Sequence, residues 1–142
     1  MNTRIERDGN INLPDIRHLV ERSIVKSLSC SKGGLVNYQL PSLKDYDRMN
    51  KNGTFYLAKS NDGLVGFLDV YKAKNLEYLF GECEILNPVK SIASTDFLYL
   101  NTLVIASNYR NRGIASKILG SVKDDNRNLD LWGAVCHKTI FN

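Results

Sequence analysis

The sequence predicts an α+β domain, in which helices pack against a sheet of strands. Two observations support this fold class. An apolar strand, Leu98–Ile105, leads through a basic turn directly into an amphipathic helix. Upstream, Asn61-Asp-Gly63 lies between two β-rich runs, and an Asp-Gly pair in that setting is typical of a β-hairpin turn. Because 142 residues are the length of one ordinary domain, we predict a single domain over residues 1–142.

The first third of the chain is predicted to be mainly helical. A first helix begins at Asn12, which is a suitable cap, and Pro14 fits its first turn. Apolar residues of this segment recur at helical spacing, at Ile16, Leu19, Val20, Ile24 and Leu28. Only a short strand, around Arg4–Glu6, fits before this helix. Beyond a break at Lys32–Gly34, Ser42–Asn50 is predicted to form a short second helix.

Strands dominate the middle of the chain. Thr54–Ala58 and Leu64–Tyr71 are the predicted strands of the hairpin. The next segment, Lys72–Thr95, is longer than a simple connection, so it either shapes a substrate pocket or is a plain surface insertion. After the basic turn, the apolar residues of the last helix share one face, at Ile114, Ile118, Leu119 and Val122. Leu129–Cys136 is the predicted final strand.

The composition is that of a globular protein and argues against several other classes. Hydrophobic residues make up 43% of the chain, yet no run approaches the roughly 20 apolar residues of a membrane span. The N-terminus is polar and lacks the apolar centre of a secretory signal, so we predict a cytoplasmic protein. Three distant cysteines and two histidines show neither a disulfide framework nor metal-ligand spacing, and we predict no metal.

The positive charge does not indicate a nucleic-acid-binding protein. The net charge is +4, but the lysines and arginines are scattered along the chain. A nucleic-acid-binding domain needs clustered basic residues, with base-stacking aromatic residues on a strand face, and no such pattern is evident. The densest basic site, Arg110–Arg112, lies in the turn after the long apolar strand, where a polyanionic cofactor explains it equally well.

That turn, Ala106–Ala115, has the features of a phosphate-binding site. The first N–H groups of a helix and the positive end of its dipole favour an anion. Gly113 permits close approach of the chain to a phosphate, because a Cβ there would obstruct it, and Ala115 is small for a similar reason. Arg110 and Arg112 add positive charge. We therefore predict a phosphorylated cofactor or substrate, with an ordinary strand-to-helix turn as the alternative.

The same turn resembles the signature of a known family. Arg110-Asn-Arg-Gly113-Ile-Ala115 is similar to the Arg/Gln-x-x-Gly-x-Gly/Ala motif of the GNAT superfamily of N-acetyltransferases. Leu103–Ile105 stands where that family has the end of its fourth strand, and Ser116–Leu119 continues its third helix. Gly66-Phe67 resembles the glycine and aromatic residue that are common in the third strand of that family. The resemblance implies α/β/α layers around a mixed, mostly antiparallel central sheet of the acyl-CoA N-acyltransferase type.

The resemblance also implies an activity and a donor site. It implies an N-acetyltransferase that moves an acetyl group from acetyl-CoA to a primary amine of a small molecule or protein, by direct attack in a ternary complex. The pantetheine arm of the donor would pair with the backbone of Leu103, Val104 and Ile105. The pyrophosphate would rest on the backbone of Asn111, Arg112, Gly113, Ile114, Ala115 and Ser116, near the Arg110 side chain. The identity of the acceptor amine cannot be inferred from these residues.

This chain departs from the family pattern in two places. Where some members carry a glutamate base on the fourth strand, this sequence has Tyr99. Tyr99 and Glu84 are the candidate catalytic residues, with Asp96 and Asp69 as further candidates by neighbourhood only. For each of these carboxylates an ordinary exposed or hydrogen-bonded side chain is the alternative. The sequence given ends at Asn142, near the start of the family's fourth helix, and Asn142 is similar to an asparagine that touches the cofactor there.

Two further expectations follow from these departures. We expect a C-terminally truncated version of the fold, whose exposed C-terminal sheet edge would favour a homodimer. The alternative function is a non-catalytic acyl-CoA-binding module, either a sensor or a decayed enzyme.

Overall fold

A five-stranded mixed sheet forms the centre of the protein. The computed structural model describes residues 2–9, 11–25, 35–36, 39–76 and 97–133. The sheet strands are β1 (Arg4–Arg7), β2 (Thr54–Ser60), β3 (Gly63–Lys72), β4 (Phe97–Ile105) and β5 (Asp130–Gly133). The helices are α1 (Leu13–Arg22), α2 (Leu43–Asn52) and α3 (Ile114–Asp125). Two short strands, Ile24–Val25 and Leu35–Val36, form a separate parallel pair.

The spatial order of the sheet strands follows their order in the chain. β1 to β4 pair with one another in antiparallel fashion, and β5 pairs with β4 in parallel, with Phe97 opposite Asp130 and Leu100 opposite Gly133. A parallel neighbour requires a crossover connection, and α3 forms it between β4 and β5. The predicted mixed, mostly antiparallel sheet with flanking helices is therefore confirmed.

Local signals place the first two helices, although one prediction was too long. Asn12 caps α1 by accepting a hydrogen bond from the Asp15 backbone, as predicted, but α1 ends at Arg22 instead of continuing to Leu28. The Ser23 hydroxyl donates to the Leu19 carbonyl at this end. The β-branched Ile24 and Val25 then enter a strand, which such residues favour. The predicted continuation to Leu28 lies partly outside the described residues.

The second helix and the hairpin form where the sequence predicts them. Ser42 caps α2 and exchanges hydrogen bonds with Asp45, which completes a capping box. The β2–β3 hairpin turns at Asn61-Asp62, and Gly63 has the positive φ of +97° that a glycine adopts without strain. The part of the 72–95 segment beyond Leu76 and the predicted last strand beyond Gly133 lie outside the described residues.

The helices cover both faces of the sheet. α1 and α2 pack on one face, where their buried residues join Phe55, Leu57, Phe67 and Tyr71. α3 packs on the other face against Tyr56, Ala58, Leu68 and Val70. Consecutive residues of β2 and β3 are therefore buried on alternate sides, which gives the predicted α/β/α layering. No helix among the described residues has the length and apolar character needed to cross a bilayer.

The fold predicts opposite effects for two glycine substitutions. A Cβ at Gly53, after α2, would lie 2.4 Å from Cε1 of the buried Tyr71 ring and 2.7 Å from the Val70 carbonyl oxygen. Gly53→Ala should lower the free energy of unfolding by about 1–3 kcal/mol, because neither group has room to move. Gly120→Ala, in the middle of α3 where the new methyl meets nothing within 4 Å, should raise it by about 0.5–1 kcal/mol. Urea denaturation of the two variants measures both changes.

Candidate functional site

The turn between β4 and α3 has an unusual backbone. After β4 ends at Ile105, a single 3-10 turn spans Ser107–Tyr109. Asn111 and Gly113 then adopt left-handed conformations, with φ of +62° and +79°, and α3 begins at the next residue. These two residue types tolerate that conformation best. A Cβ placed on Gly113 would meet no protein atom within 4 Å, so the space in front of the turn is open.

The N-terminus of α3 differs from those of the other two described helices. The side chains of Asn12 and Ser42 cap α1 and α2, whereas α3 has Gly113 at the cap position and no side-chain hydrogen bond there. No acidic residue lies in the first turn of α3. Lys117 is the first helical residue whose N–H reaches the Gly113 carbonyl. The amides of the preceding three residues, Ile114–Ser116, therefore face the open space without a side-chain cap, as an anion requires.

Two arginines flank this helix end. The Arg110 Nε donates a hydrogen bond to the Ile105 carbonyl oxygen at 3.0 Å, which ties the turn back to the end of β4. The Arg112 guanidinium carbon lies 5.2 Å from the centroid of the Tyr109 ring, within the range of a cation–π contact. Both positive charges therefore belong to the turn that leads into α3.

The hairpin between β2 and β3 contacts the turn through hydrogen bonds to Tyr109. Tyr109 is only 7% exposed, and its hydroxyl donates to the Asp62 carboxylate and accepts from the Ser60 hydroxyl. The Asp62 backbone N–H in turn donates to the Ser60 hydroxyl at 3.0 Å. Our sequence analysis assigned no role to these three residues. Tyr109 is 47 positions from Asp62, so no local pattern could have joined them.

β4, the strand that we predict to pair with the pantetheine arm, is interrupted by a β-bulge. Asp69 of β3 lies opposite Thr102, while Val70 lies opposite Leu100, so Asn101 is an extra residue in β4. Beyond the bulge, Val104 is buried, Ile105 is half-buried and Leu103 is 38% exposed.

Asp69 is fully buried beside this bulge. Its Oδ1 accepts from the Thr102 backbone N–H at 2.9 Å, and its Oδ2 accepts from the Tyr71 hydroxyl at 2.7 Å and the Asn101 side-chain amide at 2.8 Å. Burial raises the pKa of the Asp69 carboxyl, while the three donors act in the opposite direction. Since its oxygens are engaged and none of its surface is exposed, this carboxylate is not accessible as a base for a substrate.

Of the candidate catalytic residues, the structure describes Tyr99 and Asp69. Tyr99 is 5% exposed and belongs to the core cluster beneath α1 and α2. Glu84, Asp96 and Asn142 lie outside the described residues, so their assignments stay predictions. Among the residues that the structure does describe, no group of three or more His, Cys, Asp or Glu side chains could hold a metal ion.

The fold and this turn define the class of protein. A mixed sheet with helices on both faces matches the acyl-CoA N-acyltransferase fold. The model of the acetyltransferase (GNAT) family matches residues 22–137, and the chain therefore belongs to that family. The motif that carried the resemblance, Arg110–Ala115, forms the turn in front of the uncapped helix.

Several solved structures share the fold at low sequence identity. The aminoglycoside N-acetyltransferase AAC(6′)-Iy, in complex with a CoA-containing bisubstrate analogue, is 13% identical with a TM-score of 0.66, over 99% of this chain and 84% of that one. A GNAT-family acetyltransferase from Streptococcus pneumoniae TIGR4 is 14% identical with a TM-score of 0.62, over 99% and 80%.

The ribosomal-protein-S18-alanine N-acetyltransferase from Escherichia coli is 13% identical with a TM-score of 0.61, over 96% of this chain and 69% of that one. No curated protein sequence matches the chain significantly. At these identities the similarity shows the fold, and not a particular acceptor.

The support of the turn by the hairpin can be measured as a coupling energy. Tyr109→Phe should lower the free energy of unfolding by about 1 kcal/mol, because the Asp62 carboxylate and the Ser60 hydroxyl lose a buried partner. Asp62→Ala should have a similar effect, and the double variant should lose clearly less than the sum of the two. Urea denaturation provides the four values. Strictly additive losses would mean that the two side chains do not interact.

Proposed function

We propose that this protein is an N-acetyltransferase that moves an acetyl group from acetyl-CoA to a primary amine of a small molecule or protein, by direct attack in a ternary complex. One observation carries the proposal. In a chain of the GNAT family, the N-terminus of α3 opens onto free space behind Gly113, with no side-chain cap and no acidic residue in its first turn. Such a helix end suits a diphosphate.

The residues at the turn fit the donor substrate. Backbone N–H groups of Ile114–Ser116 would hold the pyrophosphate of acetyl-CoA, and Arg110 and Arg112 would add charge beside it. The pantetheine arm would lie along the backbone of β4 from Leu103 to Ile105. The exposure of Leu103 is consistent with a ligand-facing position after the bulge.

The chemistry asks little covalent participation of the protein. The thioester is already activated, so the protein has to orient the donor and the amine and stabilise the charge that develops on the carbonyl oxygen. The attacking amine must be neutral, which requires a base or a water chain leading to one. Tyr99 and Glu84 stay the predicted candidates, and the burial of Tyr99 means that it could act only from the edge of the core.

Binding of coenzyme A tests the donor half of the proposal. Gly113→Ala should raise the dissociation constant at least about tenfold, because a methyl group would occupy the approach of the phosphate. Gly63→Ala is the matched control, since Gly63 also has a positive φ and open space around its Cα. Both substitutions impose a similar backbone strain, whereas only Gly113 lies at the turn. Isothermal titration calorimetry gives the constants.

Two results would contradict the donor assignment. The first is an unsubstituted protein that binds no coenzyme A in the titration, and the second is a Gly113→Ala variant that binds it as tightly as Gly63→Ala does. Thermal unfolding of both variants checks that the comparison is made between folded proteins.

Release of the thiol tests the transfer step itself. We expect acetyl-CoA to yield free coenzyme A in the presence of at least one amine from a panel of polyamines, aminoglycosides and peptides with free amino groups. The rate should rise with pH as the amine loses its proton. Tight binding of coenzyme A without amine-dependent thiol release would instead favour the alternative, a non-catalytic acyl-CoA-binding module.

A further inference from the structure

The buried carboxylate of Asp69 accepts hydrogen bonds from two residues of β4 at the bulge. Along β3 and β4 the backbones pair residue by residue up to Val70 and Leu100, and again from Asp69 and Thr102. At the second of these pairs, the Thr102 backbone N–H donates a hydrogen bond to the Asp69 side chain. The extra residue, Asn101, donates its side-chain amide to the same carboxylate. Asp69 therefore holds both residues of the bulge.

The bulge decides which face of β4 each later residue occupies. Before it, Tyr99 packs beneath α1 and α2, and Leu100 packs beneath α3. In an uninterrupted strand Val104 would lie on the same face as Leu100. In the structure Val104 packs with Tyr99 instead, and Ile105 packs with Leu100. The one-residue shift thus sets the orientation of the segment Thr102–Ile105.

We propose that Asp69 is a positioning residue for acyl transfer, because it fixes the bulge at Asn101 and so orients the backbone of Thr102–Ile105 toward the pantetheine arm. This inference rests on the proposed function, which places that arm along the same segment. Asp69 itself touches no substrate. Its effect is expected on the pantetheine half of the donor and not on the pyrophosphate, whose amides belong to α3.

The experiment compares two ligands and three versions of the full chain. Coenzyme A carries both halves, whereas adenosine 3′-phosphate 5′-diphosphate carries the nucleotide and its pyrophosphate without the pantetheine arm. Asp69→Leu keeps the branching at Cγ and removes both acceptor oxygens, so the three donors lose this acceptor. Asp69→Asn keeps one acceptor for the Thr102 amide and is the conservative variant.

We expect Asp69→Leu to weaken binding of coenzyme A at least about tenfold while the affinity for adenosine 3′-phosphate 5′-diphosphate stays within about twofold. Asp69→Asn should restore most of the loss. Equal weakening of both ligands, or no change for coenzyme A, would overturn the positioning role. Failure of the unsubstituted protein to bind coenzyme A would instead overturn the proposed function, so the two failures can be told apart.

A second pair of variants decides the question if Asp69→Leu does not fold. Tyr71→Phe removes one donor to Asp69, and Tyr56→Phe removes a tyrosine donor to the part-buried Asp125 on the opposite face of the sheet. Burial, together with the Asp125 carboxylate, raises the pKa of Tyr56 to about 12, so its hydroxyl stays a donor at neutral pH. Only Tyr71→Phe should lower the ratio of the affinity for coenzyme A to the affinity for the nucleotide that lacks the pantetheine arm. The same ratio in both variants would count against Asp69.

Discussion

A helix that begins on a left-handed glycine cannot satisfy its first amides with a cap residue of its own. α3 begins in this way behind Gly113, while α1 and α2 begin on Asn12 and Ser42. Burying such amides in the protein would leave them unpaired, so they must lie at a surface that water or an anion can reach. The rest of the site depends on this constraint. β4 brings the chain to the turn, and the two neighbouring arginines make the local charge positive.

The turn keeps its shape because distant parts of the chain support it. Arg110 is bonded to the last residue of β4, and the Tyr109 hydroxyl is held by the β2–β3 hairpin. Preorganised amides lose little entropy when an anion arrives, which is the advantage of fixing a binding loop before the ligand binds. The hairpin therefore contributes to the site although none of its residues lies at the helix end.

Short-range signals made much of the fold predictable from the sequence. The caps at Asn12 and Ser42, the Asp-Gly hairpin and the glycine before α3 each act within a few residues, and the elements appear there. The predicted end of α1 was wrong, because the apolar stripe continues past Ser23 into a short strand of the β-branched residues Ile24 and Val25. Periodicity alone does not distinguish these two cases.

The long-range parts of the site were not predictable in the same way. The Tyr109–Asp62 contact and the Asp69 network join residues that are 47 and up to 33 positions apart. A bulge also leaves no mark in hydrophobic alternation until its partner strand is known. The family resemblance supplied the prediction of the donor site, and its candidate for a catalytic residue on the fourth strand, Tyr99, lies in the core.

The extra residue in β4 separates two properties of a strand, namely the path of its main chain and the face on which each side chain lies. If Asn101 were absent, Thr102 would follow Leu100 directly, and Val104 and Ile105 would keep their present faces without a bulge. With Asn101 present, the bulge is what keeps them on those faces. Core packing alone therefore gives no reason to retain the insertion. Removing Asn101 would change the main-chain path of β4 and leave the hydrophobic layers on either side in place.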